Sequence, residues 1–507
     1  VKITTYFNRV FNRRVHNTSS PIMKIHRENM AKYHRNYAAA AQDRLTYSWR
    51  GTNLTSDEML RWQLPTMRAR SRDLAENNEY VKRFLKLVCQ NVIGHTGITY
   101  QNRAADGKKL DTYANRLIED AWKDWGRLGS CTLDGEFSWK GFQSIAMVMV
   151  ARDGEAIIKI VNSEYNKYHF SLQLLEADLL DTQYNFDLPN GNYIRLGIEY
   201  NKDGRRVAYH LLKKHPGSNT LQTTLKTREY ERIPAAEIIH LYIKERPTQS
   251  RGVPWVFASM RKLKDIGAYD QAHIIAARIG AAKMGFFTRT GDSEYRGDGE
   301  DADGNLITNA EPGTFENLPP GVDFKEFDPD YPSGNYEPFM KAALHGVASG
   351  LNVAYASLSN DLKDVNYSSA RIGLLDERDG WKAIQGWFID HACNTIHDKW
   401  LNLALMGIIP LPSSKFEKFR QCSWRGRGWT WVDPEKEIKA SVQGIENYLT
   451  TLQDQLAERG LDMEEVLQQR AYELQRIKEL GLPLPERGNQ KPGGNNESGK
   501  DNQSTVE

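Results

Sequence analysis

Between residues 154 and 242 the apolar side chains stop recurring every third or fourth position and begin to alternate. This switch limits the fold more than any other feature of the chain. The runs GEAIIKIV, FSLQLLEADLL, IRLGIEY, RVAYHLLKK and EIIHLYI read as strands. The stretch NKDG at 201–204 lies between two of them and predicts a hairpin. Helical patterns stand on both sides, so the class is α+β with sheet at its centre.

On the N-terminal side, residues 55–93 read as helical, with Ser56 a candidate N-cap, an interruption at Pro65 and a stop at Gly94. Tyr80, Phe84, Leu87, Val88 and Val92 share one face. A second amphipathic helix covers 110–127 and carries Trp122 and Trp125. After the strands, a helix is expected from Pro254 to about Gly285, with Ala268, Ala272, Ala276 and Gly280 at four-residue spacing. Such a stripe of small residues lets another helix approach closely. Ala342, Gly346, Ser349 and Gly350 mark a second stripe in EPFMKAALHGVASGL. Glycine inside a helix costs about 1 kcal/mol relative to alanine, so its presence there points to tight packing.

The segment between these helices, 291–330, holds twelve Asp/Glu against Arg296 and Lys325. It reads as a solvated, mobile excursion. Its DGEDADGN resembles a calcium loop, but Leu306 stands where glycine is needed and Pro312 where the closing Glu belongs. A long helical pattern follows over 368–406 through Leu374, Trp381, Phe388, Ala392 and Ile396. Asp433 and Pro434 open another helix, whose face is Ile438, Val442, Ile445, Leu449, Leu452 and Leu456 and whose stop is Gly460. Asp462 and Glu465 form a capping box for a third helix ending at Gly481. The remaining tail is low in hydrophobics and is expected to be disordered.

Hydrophobic residues make up 40% of the 507 positions and charged residues 26%, enough for a sizeable core. No apolar run is long enough to span a membrane, and no signal-peptide core lies near the start. The net charge of +2 says little, but the first fifty residues hold ten Lys/Arg against Glu28 and Asp43. This is a flexible basic arm, or one that touches nucleic acid. Cys89, Cys131, Cys393 and Cys422 form no CxxC pair and imply neither a zinc site nor a disulfide framework.

The stretch NVAYASLSNDLKDVNYSSARIGLLDERDGW mixes Ser357, Ser359, Ser368 and Ser369 with Asp361, Lys363, Asp364 and Arg371, which suggests a nucleophile with helpers. No histidine lies nearby in sequence and no S-x-x-K forms, whereas Asn366 and Ser368 suit a helix N-cap. The chain also lacks GxxxxGK[ST], HExxH and GxSxG. His391 and His397 fall on nearly opposite helix faces, and His210 and His240 sit in strands. No catalytic residue, metal or cofactor is therefore assigned.

The order of ERPTQSRGVPWV (245–256), GLNVAYASLSNDLKDVNYSSAR (350–371) and RGRGWTWVDPEKEIKA (425–440) resembles that in the lambda-type portal proteins of tailed bacteriophages. LGIEYNKDGRRVAYHLLKKHP and IPAAEIIHLYI support the likeness, which covers roughly residues 70 to 480. It implies a ring of about twelve subunits at one capsid vertex, through which double-stranded viral DNA passes without being read. It further implies docking of a terminase motor and later of a head–tail connector or adaptor, contact with major capsid and scaffold proteins, and no membrane. The locations implied are the virion's portal vertex and, during assembly, the host cytoplasm.

Carried onto this chain, the portal plan gives a basic arm over 1–54, an α+β wing over 55–253 and a first stem helix over 254–284. A clip over 285–335, a second stem helix over 336–351 and a tunnel loop over 352–366 follow. The long wing helix and return would be 367–433, the crown 434–481, and the tail 482–507. Ser357, Ser359, Asn360, Lys363 and Asn366 would face the DNA channel. Ala268, Ala272, Ala276, Gly280, Gly346 and Gly350 would pack the stem, and Arg296, Glu300, Asp301 and Asp303 would meet partners at the clip. Repeated around a ring, one lysine per subunit makes a belt that holds phosphates without reading bases. The alternatives are a DNA-processing enzyme such as a metal-dependent nuclease, or a capsid-interior adaptor that binds DNA in bulk.

Overall fold

Asn78 divides the first helical stretch in two. Its backbone is extended, and its side-chain oxygen accepts from the N–H groups of Tyr80 and Val81, so α1 (Ser56–Asn77) ends and α2 (Glu79–Val88) begins. Pro65, the expected interruption, lies inside α1 instead. Proline cannot donate to the carbonyl four residues back, and here that carbonyl, of Arg61, accepts from Gln183 Nε2 at 2.8 Å. The missing bond is replaced across the fold, and the helix continues. α2 runs into a π-helical turn, Cys89–Ile93, and stops at Gly94, whose φ is +76°. Phe84, Leu87, Val88 and Val92 are buried, as their common face requires.

The computed structural model describes residues 51, 53–107, 109–218, 228–281, 285–289, 299–300, 306–307, 322–326, 336–363, 367–429, 434–459, 461 and 463–483. The expected basic arm and polar tail fall almost wholly outside them. The first strand, β1 (Thr99–Asn102), is followed by α3 (Thr112–Trp125) and α4 (Trp139–Asp153). The apolar pattern does not announce α4, because it is buried nearly all round: Trp139, Phe142, Met147, Met149 and Val150 are all in the core.

The sheet region holds β2 (Ala156–Asn162), β3 (Phe170–Leu175), β4 (Phe186–Asp187), β5 (Tyr193–Arg195), β6 (Ile198–Tyr200), β7 (Arg206–Leu212), β8 (Tyr230–Pro234) and β9 (Ile238–Leu241). These make two antiparallel sheets rather than one, a three-stranded β9-β2-β3 and a five-stranded meander β8-β7-β6-β5-β4. The expected strand IRLGIEY is itself a hairpin. Leu196 and Gly197 both have positive φ, as a two-residue turn of the primed type requires, and Arg195 pairs with Ile198. The NKDG turn joins β6 to β7 as expected.

α5 (Met260–Ala281) starts later than Pro254. Residues 254–259 form successive tight turns, in which Phe257 N–H donates to Pro254 and Ser259 N–H to Val256. The acidic excursion is not wholly irregular: β10 (Gly285–Arg289) pairs with β13 (Val322–Glu326), and β11 (Gly299–Glu300) with β12 (Leu306–Ile307). α6 (Tyr336–Gly350) covers the span expected to be helical, and α7 (Tyr355–Ser359) is a short helix inside the expected loop. The long pattern resolves into α8 (Tyr367–Phe388), a π-helical turn (Ile389–Cys393) and α9 (Asn394–Gly407). β14 (Cys422–Arg425) then returns to pair with β1, Thr99 against Arg425.

The C-terminal helices are α10 (Pro434–Glu446), α11 (Leu452–Glu458) and α12 (Met463–Glu479). One helix was expected through Leu456. It breaks at Tyr448, whose φ is +59°, and restarts at Thr451, which makes a capping box with Asp454. The largest core cluster joins α2, α3 and α4 to α9. Trp122 lies 4.7 Å from Trp125 and 4.9 Å from Trp400, so residues far apart in sequence close one aromatic centre.

Candidate channel loop and subunit-contact surfaces

The SRGVPW part of the first quoted motif has a structural purpose. Arg251 is fully buried, and its Nε donates to both Glu155 oxygens at 2.9 Å. Its Nη1 donates to the carbonyls of Leu180 and Leu196 at 2.8 and 3.1 Å, and its Nη2 to that of Ala177 at 3.1 Å. Glu155 also accepts from Arg68 at 2.8 Å and from Gly252 N–H at 3.0 Å, and lies 3.0 Å from His240 Nε2. This hub ties α1, β2, β9 and the meander together.

Burial alone would raise the Glu155 carboxyl. Arg251, His240 and Arg68 overcome that and hold it well below its ordinary range. Burial lowers the His240 imidazole to about 4, so it stays neutral. Gly252 is required for a close approach: a Cβ there would overlap the Gly154 carbonyl oxygen, and Gly154 itself has φ +89°. Glu155 was not singled out from the sequence. Its signal was an acidic residue opening an otherwise apolar strand.

α5 and α6 pack together at their near ends. Leu263 and Ile266 are buried, Tyr269 stacks on Tyr336 at 5.9 Å, and Asp270 accepts from the Tyr336 hydroxyl. The two small-residue stripes differ. Gly350 faces α5 of its own chain, where a Cβ would come 2.5 Å from Ser259 Oγ, and a Cβ on Gly346 would meet Lys262 Nζ. Ala268 and Ala272 are exposed and Ala276 half-buried, beside Ile274 and Ile275 at 52% and 46% exposure. Gly280 lies in the last turn of α5.

The expected channel loop is half anchored and half open. Ser357 Oγ donates to Glu377 Oε2 at 2.7 Å, Ala354 N–H donates to the same oxygen at 3.1 Å, and Trp381 Nε1 donates to Oε1 at 3.1 Å. Arg83 Nε donates to the Ser357 carbonyl at 3.0 Å. Ser359 Oγ donates to the Tyr355 carbonyl at 2.8 Å and accepts from Asp361 N–H at 3.2 Å. Tyr355 in turn stacks on His345 at 4.1 Å. The Ser357 hydroxyl is tied to α8 and the Ser359 hydroxyl to the loop's own backbone. Asn360 ends α7 in the left-handed region at φ +57°, and beyond it Leu362 and Lys363 are exposed. Lys363 Nζ lies 3.5 Å from Glu337. Asn366 falls outside the described residues. Glu377 and Arg83, which shape this loop, were missed because no local pattern marks them.

Arg296, Asp301 and Asp303 also lie outside the described residues, while Glu300 ends β11. Among the described residues one group could hold a metal by distance: Glu176, Asp178 and His215. Asp178 is already paired there with Arg68 and Arg72. The four cysteines are free thiols.

A model of the phage portal protein, lambda family, matches residues 42–385. The chain belongs to this family. It is 36% identical to a probable portal protein of Halomonas phage phiHAP-1, over 89% of this chain and 88% of the relative. It is 22% identical to portal protein B of Escherichia phage lambda, over 86% and 89% of the two chains. Among solved structures it aligns with a chain from the neck of an empty gene transfer agent particle, at TM-score 0.43 and 13% identity, over 79% of this chain and 94% of that one. The function is thus that of a phage portal, on a mixed helix-and-strand portal fold, and the family is structural rather than enzymatic.

Proposed function

We propose that this chain forms a ring of about twelve copies at one vertex of a viral capsid, with viral DNA passing along its axis during packaging and ejection. Family membership carries this reading. In it the chain has no catalysis of its own: a terminase docks on the ring and supplies the work, and a head–tail connector or adaptor takes its place later. The ring sits among major capsid and scaffold proteins, assembles in the host cytoplasm and remains in the virion. Residues 285–335 form the clip that meets these partners.

Two features support the reading. Ala268, Ala272 and Ile275 are exposed along one side of a helix whose opposite side carries the buried Leu263 and Ile266, which suits a neighbouring copy. Lys363 stands on the open half of a loop whose root is held by Glu377, so a ring of lysines would reach a central channel on a firm base. Negative-stain images of the purified chain test the proposal. Rings with an axial hole of duplex width are expected; a compact monomer or a symmetric dimer would overturn it.

A further inference from the structure

Even the open half of the channel loop touches the helix before it. Tyr355, at the start of α7, stacks on His345 of α6 with ring centres 4.1 Å apart. Farther on, Lys363 Nζ lies 3.5 Å from Glu337 Oε1, in the first turn of α6. At about 1.5 Å per residue, positions 345 and 337 are about 12 Å apart along the helix. The loop from Tyr355 to Lys363 is therefore laid back antiparallel over about two turns of α6. Between the two contacts, the Tyr355 hydroxyl donates to Asp361 Oδ2 and the Lys363 N–H to Asp361 Oδ1, both at 3.1 Å. Asp361 thus fixes the backbone that presents Lys363 to Glu337. The bend that makes this return lies at Asn360, whose φ is +57°.

The two contacts hold the loop with different strength. Tyr355 is half-buried, and the segment after it is pinned to Glu377 through Ser357. The Lys363 and Glu337 side chains are 74% and 73% exposed. An ion pair so exposed is worth at most about a fivefold preference, and salt weakens it further. A duplex carries one negative charge per about 1.7 Å of its axis. A single carboxylate is readily displaced by such a row of phosphates. Glu337 therefore suits a competitor that yields. It neutralises Lys363 when no DNA is present and releases it when DNA arrives. For a conduit the consequence is a softened grip, because each phosphate contact must first displace a carboxylate.

We infer that Glu337 is a latch on the channel loop, holding Lys363 back along α6 until a backbone phosphate of DNA takes its place. This rests on the portal reading, which places the loop beside the axis. It gives Lys363 two partners in turn, and it makes Glu337 an inhibitory contact that sets how strongly the lysine belt holds DNA.

The test uses the full chain, imaged for rings, with binding of a short fluorescent duplex followed by anisotropy across a salt series. Glu337→Gln is expected to leave rings intact, to tighten duplex binding about twofold to fivefold at about 0.1 M salt and to steepen its salt dependence. Lys363→Ala should weaken binding, and adding Glu337→Gln to it should change nothing more. A carboxylate in the first turn also suits the positive end of α6, so Glu337→Asp, which keeps that charge but shortens the reach to Lys363, is measured in the same way. It too should tighten binding, by less than Glu337→Gln. Intact Glu337→Gln rings with unchanged affinity would overturn the inference. So would equal tightening in the Lys363→Ala background, which would mean that Glu337 repels DNA directly. If Lys363→Ala leaves the affinity of intact rings unchanged, or the wild-type chain forms no rings, the channel-loop or portal-ring reading fails and the latch with it, a result distinct from either.

Discussion

The hub around Glu155 and the stripe along α5 are opposite solutions to packing. At the hub, one chain satisfies everything: two arginines, a histidine and a backbone N–H converge on one carboxylate with no exposure at all. Along α5, Ala268 and Ala272 are open and two isoleucines stand half exposed, so the packing is left unfinished. The contrast separates what the chain needs to fold from what it needs to assemble. A buried charge must find its partners within the folding unit, because desolvation makes an unpaired one too costly. An apolar helix face can wait for a neighbour.

This difference can be broken at either end. The largest effect on folding is expected from Arg251→Leu, which leaves Glu155 buried without its main partner. It should destabilise the chain by about 3–5 kcal/mol in urea unfolding. A loss under 1 kcal/mol would mean the hub is not the keystone of the wing.

Acid should weaken the same hub. Burial lowers the native His240 imidazole to about 4, against an ordinary 6.5, so between these values the unfolded chain binds a proton the native chain refuses. Stability is then intact above about pH 6.5 and falls by about 3 kcal/mol as pH drops to about 4. The depressed Glu155 carboxyl adds to the loss at the lower end of that window. Unfolding midpoints from pH 7.5 to 4.5 would show this, and a His240→Gln chain should show a shallower slope. Identical slopes would remove His240 from the account.

Removing the Ser357 hydroxyl sharpens the comparison within the loop. Ser357→Ala deletes a hydrogen bond to buried Glu377 and should cost about 1 kcal/mol in thermal unfolding. Lys363→Ala, on the open half, should leave unfolding unchanged and lower only DNA packaging or retention. An equal effect of both on stability would contradict the anchored-and-open division. The smallest effect on folding is expected from Ala272→Leu, within about 0.5 kcal/mol on an exposed face. The same change should strongly reduce ring assembly in sedimentation. Normal rings with Leu at this position would show that the stripe is not a subunit contact.

Where the sequence reading failed, it failed for local reasons with non-local remedies. Pro65 looked like a break, but Gln183 supplies the hydrogen bond that keeps α1 whole. IRLGIEY looked like one strand because its Leu196–Gly197 turn has no Asn or Asp to signal it. The Ser357 and Ser359 hydroxyls, whose setting suggested a nucleophile with helpers, are occupied by Glu377 and the Tyr355 carbonyl. Gly350 was read as a place of close approach between helices, and a Cβ there would meet Ser259 of the same chain.

By itself the sequence determined the class, the helical faces of α2 and α3, the hairpin at 201–204 and the extent of α6, since periodicity and turn chemistry act within a few residues. Its ordered motifs also identified the family. Only the tertiary structure decided that Arg251 and Glu155 share one buried centre, that Glu377 anchors the loop, and that Lys363 meets Glu337. The reason is physical: charge pairing and desolvation depend on distance in space, and each of these groups is brought to its partners by elements far removed along the chain.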